Sequence, residues 1–591
     1  MASKLPFKIE NDIMIGEEEL IDDSCINIGK LILDAFKSRP DFIGQVDAMT
    51  GEENTFQQMR ERSVKCALWL KKMGIQRNDG IVVYTSNHLD AYIPYLATLY
   101  IGAILHVWNA NEPINVRCHV KAHPKVIFAD DDRASYMSTT KKHELDIASI
   151  IIVSMKEKDE NVKEKEKDQQ KERKGNKKKE EKNKKEGTII SLKSILNSYF
   201  SKIEIDEFSC TELKNSKDTA VILFFASSTH TMKHHVALPH AFFTAPSNQQ
   251  IPIMLSDGVG LWVESLHWNI SLLLTVRAIL SYVKAVKINI VFKFGNIMLE
   301  SDVKYFCNVI QKYKVNWIFL KNFMSKLLFI HNYHMFTKCD ISPLKHIIIG
   351  GRQLSDKNYN PFIDRMVEKG VSVSRVYCLP EIGVIAYEPK KLTKEEDLNI
   401  KLISSGYVSK NVSVSILDPI TETPFKLNQM GIICCKSPSL ANNYLYTINA
   451  NLMTITDDDG WFHTDDIGCF DSNGYIYITE RRRNLIIYKN YIIPPIFIEC
   501  LLKMHPAVKD ACVIPIYNES DGHHPFAAVE LWNLVQVTEK ELIEHLASNI
   551  KEDHVHILRG GVMFTRMPYL RNRYPDRSVI RARAYNYLNN I

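Results

Sequence analysis

The sequence predicts an α/β protein: a large N-terminal α/β domain with stacked sheets and helices, followed by a small C-terminal α+β domain. Three observations lead there. Short apolar runs recur along most of the chain, stretches of helical periodicity separate them, and the pattern restarts on a smaller scale beyond about residue 480. Strands buried on both faces read as continuous apolar runs, and helical crossovers between them build parallel sheets. At 591 residues, 45% hydrophobic and 24% charged, the chain has the composition of a globular protein with room for one large or several ordinary domains.

The elements follow in order. Thr55 and Gln58 form a capping box, and Phe56, Met59, Ser63, Ala67 and Leu70 recur at helical spacing until Gly74 closes the segment, which predicts an amphipathic helix. Apolar runs at 81–85 (IVVYT), 125–130 (KVIFAD), 149–153 (SIIIV), 220–226 (AVILFFA), 316–320 (NWIFL) and 346–351 (HIIIGG) predict buried strands. Between the third and fourth lies 156–186, with almost no apolar residue. It cannot offset the entropy of ordering, and a solvated, disordered insertion is expected there. The second domain, 481–591, should hold strands near 511–516 and 527–531, a helix capped by Thr538 and Glu541, and the run RGGVMF at 559–564.

Charge narrows the function classes. The net charge is +5, but residues 156–186 carry 14 Lys/Arg against 10 Asp/Glu, an excess of 4, so the rest sums to about +1. Nucleic-acid binders place a basic excess on a folded face, so no nucleic-acid partner is expected. Twelve cysteines without a CxxC pair suggest neither a metal knuckle nor a disulfide framework, and free buried thiols are expected. The N-terminus shows no apolar signal region, and the apolar stretch 261–280 is broken by Glu264, His267, Asn269 and Arg277, so no transmembrane segment is expected. A cytoplasmic location follows as the expectation, the chain ending YNYLNNI without an SKL-type address.

The candidate chemistry begins with ASSTHTMKHHVALPH, 226–240, a hydroxyl-rich loop directly after an apolar strand. Open α/β sheets bind ligands at the carboxyl ends of their strands, and backbone N–H groups there can cradle phosphate oxygens. Further along come GGRQL (350–354), YCLPE (377–381), GWFHTDDIG (460–468), ERRRNLIIYKN (480–490) and RGGVMF, with MTGEENTF (49–56) and LYIGAIL (99–105) earlier. In this order they resemble the acyl-adenylate-forming superfamily of acyl-CoA synthetases, 4-coumarate-CoA ligases and luciferases, over nearly the whole chain except the charged insertion.

The resemblance implies a large AMP-binding domain over 1–480 and a small AMP-binding-enzyme C-terminal domain over 481–591. It implies ATP, Mg2+ and CoA, and activation of a carboxylic or fatty acid to an acyl-adenylate and then acyl-CoA. Relatives are often peroxisomal. Carried over residue by residue, Ser227 and Thr229 would meet phosphate, Tyr377 would stack on adenine with the backbone at Gly351 on the other face, and Glu381 would hold magnesium. Asp466 would accept both ribose hydroxyls, Arg481 would reach the ribose from the hinge side, and His267, with Leu266 and Trp268, would lie at the acyl pocket. An apolar, bulky lining would suit a medium or long fatty acid or an aromatic acid.

Departures from the family pattern carry equal weight. The glycines of its phosphate loop, SSGTTGLPKGV, are Ser228, Thr231 and His235 here, and its lysine is His234. A Cβ where the backbone needs φ > 0 costs about 1 to 2 kcal/mol or forces another loop shape. His234 is mostly neutral at pH 7, so Lys233, one position earlier, is the stand-in cation. Pro380 replaces the threonine of the YxxTE pattern and supplies neither hydroxyl nor N–H. PYLRNRYPD at 568–576 replaces PxTxTGKxD, so the adenylating lysine is Tyr574 and its glycine Arg573. Losing one preorganised donor of that kind costs about 10² to 10³ in rate; Arg571 or Arg573 would have to substitute. The lysine used after domain rotation is Ile487, and a following glycine is Asn490.

Two readings follow: an acyl-CoA synthetase with reduced or lost activity, or a catalytically inactive nucleotide or acyl-ligand-binding scaffold. Luciferase-like oxygenation shares the adenylation step and its losses.

Overall fold

Four sheets, with helices between and around them, organise the chain in this computed structural model. It describes residues 6–21, 27–110, 124–140, 150–155, 189–225, 234–250, 258–288, 299–328, 332–351, 359–387, 404–446, 452–489, 491–533, 535–549, 558–570 and 575–589. The charged stretch 156–186 lies outside them.

The apolar runs become strands of two nine-stranded sheets. Gly80–Tyr84, Val126–Ala129, Ile151–Ser154 and Thr219–Phe225 belong to the first, and Trp317–Lys321 and His346–Gly350 to the second. In the second sheet these two strands run parallel between Val259–Trp262 and Ser372–Leu379, so their carboxyl ends share one edge. Gly260 is demanded by packing: a Cβ there would lie 2.1 Å from the Trp317 ring, which stacks on Trp262 with centroids 5.9 Å apart.

The helices Ile28–Ser38, Phe56–Lys72, Tyr92–Tyr100 and Asn269–Leu280 fill the space between the two large sheets. One apolar cluster runs from Val83 and Phe128 through all four to Trp262, Phe319 and Ile348. The predicted capping box is present: the Thr55 side chain accepts from the Gln58 N–H, and Gln58 reaches back to the Thr55 N–H. Phe56, fully buried, meets Phe36 edge to face at 5.0 Å. Removing such a ring typically costs about 3 to 5 kcal/mol. The apolar stretch 261–280 divides between a strand end and the helix Asn269–Leu280, and no helix among the described residues is long and apolar enough to cross a membrane.

The third sheet has six antiparallel strands, Phe7–Glu10, Ile13–Gly16, Ser413–Leu417, Gly431–Lys436, Phe462–Phe470 and Ile476–Arg481. Its core reaches the second large sheet through Tyr377, Leu379, Ile382 and Ile385. The fourth opens at Ile486–Tyr488, just past Arg481, and joins Tyr491–Ile493, Val508–Asn518, Gly522–Leu531 and Gly561–Phe564. Its helix Glu539–Asn549 carries the expected box, Thr538 and Glu541 exchanging hydrogen bonds at 2.7 and 3.2 Å.

One expectation is corrected. The hydroxyl-rich loop read as running to His240 ends earlier: His234–Pro239 is a strand, with His234 opposite Phe225 on one side and Tyr446 on the other. Residues 235–240 are all buried, and pairing with Thr219–Phe225 on one side and Asn443–Tyr446 on the other wins over the loop-like polar composition. Among the described cysteines, Cys66, Cys307, Cys434, Cys435 and Cys512 are buried and free, while Cys500 is exposed.

Candidate active site

The carboxyl edge of the second large sheet meets the six-stranded sheet at Tyr377, and the polar residues gather there. Asp466 lies in Phe462–Phe470, directly opposite Arg481 in the antiparallel pairing. Its carboxylate accepts from Arg481 Nε at 2.9 Å with one oxygen and from the Tyr377 hydroxyl at 2.9 Å with the other. The site is only 5% exposed at Asp466. Asp465, in the left-handed region at φ 59°, turns the strand immediately before it.

Electrostatics keep these groups in defined states. Burial opposes the Arg481 charge, yet Asp466, Tyr377, Glu381 and Asp465 together hold its pKa above the ordinary value. Burial, with the Asp466 charge beside it, raises the Tyr377 hydroxyl well above the usual tyrosine range. Tyr377 therefore stays protonated and donates.

Gly351 follows the strand His346–Gly350 at φ +107°, a conformation open to glycine at little cost. Among the described residues, a Cβ built there meets nothing closer than the Asn322 side chain at 3.9 Å, an ordinary van der Waals contact. Two flat-sided elements thus end on one edge, Tyr377 on one strand and Gly351 after its neighbour, whose Gly350 pairs with Val376. Pro380 and Glu381 form the turn between Ser372–Leu379 and Gly383–Tyr387; Glu381 is buried, and its carbonyl accepts from the Ala441 N–H at 2.6 Å.

His267 sits in the turn before Asn269–Leu280, a helix tied to the same edge by Asn269, whose side chain donates to the Leu379 carbonyl at 3.1 Å. His267 Nδ1 is 2.6 Å from the Ser265 hydroxyl. Burial, helped by the Lys321 charge, presses its pKa down to about 3, so the ring is neutral near pH 7. Beside it Glu264 and Lys321 form an ion pair at 2.9 Å. Sequence reasoning missed both as site residues. The available signal was positional: each is a charge closing an apolar strand at the ligand-facing edge, and Glu264 had been read only as an interruption of a hydrophobic run.

The expected site residues divide sharply. Tyr377, Glu381, Asp466, Arg481, Gly351 and His267 converge on this edge. His234 starts a strand and is not a loop residue. Ser227, Thr229, Lys233, Arg573 and Tyr574 lie outside the described residues. No cluster of three or more His, Cys, Asp or Glu suited to a metal ion occurs among the described residues.

A second polar network joins the last two sheets. Glu480 accepts from the Arg481 N–H and the Asn484 side chain, both at 2.9 Å. Arg577, opening the C-terminal helix Arg577–Asn589, reaches Glu480 at 3.4 Å and Glu499 at 2.7 Å.

Known proteins resemble this chain in sequence and in fold. The family model for the AMP-binding enzyme matches residues 34–445, and that for the AMP-binding enzyme C-terminal domain matches residues 498–568. The chain is 26% identical over 518 residues to 4-coumarate–CoA ligase 2 of Petroselinum crispum, covering 85% of each. It is 25% identical over 544 residues to luciferin 4-monooxygenase of Photinus pyralis, covering 89% of this chain and 88% of that one. The fold superposes on ATP-bound MatB from Rhodopseudomonas palustris with a TM-score of 0.71 at 16% identity, covering 94% and 98%. For the amide bond synthetase McbA from Marinactinospora thermotolerans the TM-score is 0.72 at 16% identity, covering 94% and 99%. The chain belongs to the AMP-binding enzyme family, within the acyl-adenylate-forming superfamily of acyl-CoA synthetases, 4-coumarate-CoA ligases and luciferases.

Proposed function

We propose that this AMP-forming acyl-CoA ligase-like protein binds ATP and a small-molecule carboxylic acid, with CoA as acyl acceptor, and that its adenylation step is slowed or lost. The observation that carries the first half is the buried Tyr377–Asp466–Arg481 triad, with Gly351 following the neighbouring strand. A carboxylate held in place by two donors suits a vicinal diol such as a ribose. Tyr377 and the backbone at Gly351 lie at neighbouring strand ends, the placement that an adenine ring held between them would need. Glu381, a hard oxygen donor, has the chemistry for magnesium, which when bound would offset phosphate charge.

The second half rests on the sequence. The two lysine positions that would neutralise phosphate hold His234 and Tyr574, and Pro380 stands where a threonine hydroxyl would meet it; a tyrosine donates one neutral hydrogen bond where a lysine would bring a full charge. The name of one relative, 4-coumarate–CoA ligase, supports an acid substrate joined to CoA.

The test is pyrophosphate release from ATP and magnesium with a panel of fatty and aromatic acids. Slow turnover that the double variant Arg573→Gly/Tyr574→Lys raises by about 10² or more supports an attenuated ligase. The scaffold reading, favoured by the number of replaced phosphate residues, predicts nucleotide binding with no pyrophosphate from either protein. Rapid release by the unaltered chain would refute the attenuated-activity proposal.

A further inference from the structure

The ion pair beside His267 has no evident structural purpose. Glu264 follows the strand Val259–Trp262, and Lys321 ends Trp317–Lys321, where it pairs in register with Gly350, the residue before Gly351. Their charged ends meet at 2.9 Å, the Lys321 ammonium lies 4.8 Å from the centroid of the Trp268 ring, and Glu264 Oε2 is 3.9 Å from His267 Nε2. Burial alone would raise the Glu264 pKa, but Lys321 outweighs it and keeps the carboxyl ionised. Glu264 and His267 are largely covered, while Lys321 keeps 29% of its side chain accessible. An ion pair largely covered in this way is seldom worth more to stability than apolar residues of the same volume, and the strands beside it are otherwise apolar. The expected fatty or aromatic lining is therefore interrupted, at the His267 end, by an anion, a cation and a neutral imidazole.

Such a cluster favours one ligand chemistry. An incoming alkyl chain would strip water from the pair and return no hydrogen bond. An incoming carboxylate would gain Lys321 but meet Glu264. A hydroxyl or primary amide can donate to Glu264 and accept from Lys321 at once, completing the set.

We propose that Glu264, Lys321 and His267 form a specificity subsite for a neutral hydrogen-bonding group, a hydroxyl or an amide, on the carboxylic acid, and that this subsite discriminates against unsubstituted alkyl acids. The inference rests on the carboxylate-activating reading above and narrows its substrate class. Sites that hydrogen-bond a substrate hydroxyl reject the analogue lacking it strongly, because their own polar groups are left unpaired.

The experiment is calorimetric titration of the full chain with hexanoate, 6-hydroxyhexanoate, adipate and adipic acid monoamide, with and without AMP. The hydroxy acid and the monoamide should bind at least about tenfold more tightly than hexanoate, with adipate no better than hexanoate. The double variant Glu264→Gln/Lys321→Met, which leaves neither charge alone, should bring all four acids within about threefold of one another. Hexanoate binding as tightly as its hydroxylated partner, adipate binding tightest, no acid binding at millimolar concentration, or a ranking unchanged in the double variant would each overturn the subsite. AMP titrated into the same samples reports on the nucleotide reading separately, because the ranking of acids is measured without it as well.

Discussion

Replacing Asp466 by asparagine probes the centre of the site with the least change of shape. The carboxylate accepts from Tyr377 and Arg481, each at 2.9 Å. An amide retains one acceptor oxygen and turns its NH2 toward a second donor, so one bond becomes a donor facing a donor. Losing a hydrogen bond to a charged group costs about 1.5 to 3 kcal/mol, and stranding a buried cation costs about 3 to 5 kcal/mol. Arg481 keeps 22% of its side chain accessible, which places the expected loss near the low end, about 2 to 3 kcal/mol. The chain should still fold, with a melting temperature lower by a few degrees. Nucleotide binding should suffer more visibly: two ribose hydroxyls lose a charged acceptor, and about 2 kcal/mol is roughly a thirtyfold weaker Kd for AMP. Calorimetry with AMP and thermal unfolding on the same preparations separate the two effects. An AMP affinity unchanged within threefold, in a variant that folds, would refute the assignment of Asp466 as the ribose acceptor.

Three further outcomes follow from the same geometry. Gly351→Ala should cost about 1 to 3 kcal/mol through its backbone angle of +107°, since the added Cβ touches nothing within 3.9 Å, and should weaken AMP binding; unchanged melting and affinity would contradict this. Burial presses His106 and His267 down to about 3 and His240 to about 4, with His235, Lys321 and Arg77 respectively adding to the effect. The unfolded chain therefore binds more protons from about pH 6.5 downward, so stability is whole above that value and falls as pH drops toward the folded values. About 2 kcal/mol per histidine should be gone by pH 5, read from denaturant midpoints; a midpoint flat from pH 7.5 to 5 would contradict it. Arg577→Met should destabilise by about 3 to 5 kcal/mol, because Glu480 and Glu499 are left buried without their cation, whereas Arg577→Lys should cost less. Equal stability of Arg577→Met and the parent chain would show that this bridge contributes nothing.

The strands and helices that build the two large sheets were legible because burial on both faces leaves an unmistakable apolar run. All six predicted runs are strands to within a residue or two in the parts described, and both capping boxes form. The N-terminal hairpin Phe7–Glu10 and Ile13–Gly16 was not anticipated: each strand has only four residues, and the outer one, Phe7–Glu10, alternates apolar and charged residues at the sheet edge. His234 was misread because a strand of His-His-Val-Ala-Leu-Pro looks like the tail of a polar loop until its partner, Thr219–Phe225, is in place. Tyr377, Asp466 and Arg481 could be named from motif order, although their contact joins residues 89 apart in sequence and needed the folded sheets to bring them together. Glu264 and Lys321 were invisible as a pair for the same reason, 57 residues separating them. The Arg577 bridge was hidden likewise, since a lone arginine after a proline and an aspartate signals nothing until two carboxylates close on it.

The central claim is that this chain holds a nucleoside well and its phosphates poorly. The direct measurement is the affinity of the full chain for adenosine, AMP and ATP with magnesium, under identical conditions. The account predicts that all three bind within about tenfold of one another, because the contacts that matter are made to base and ribose. ATP binding a hundredfold or more tighter than adenosine, or no binding of adenosine and AMP at all, would contradict it.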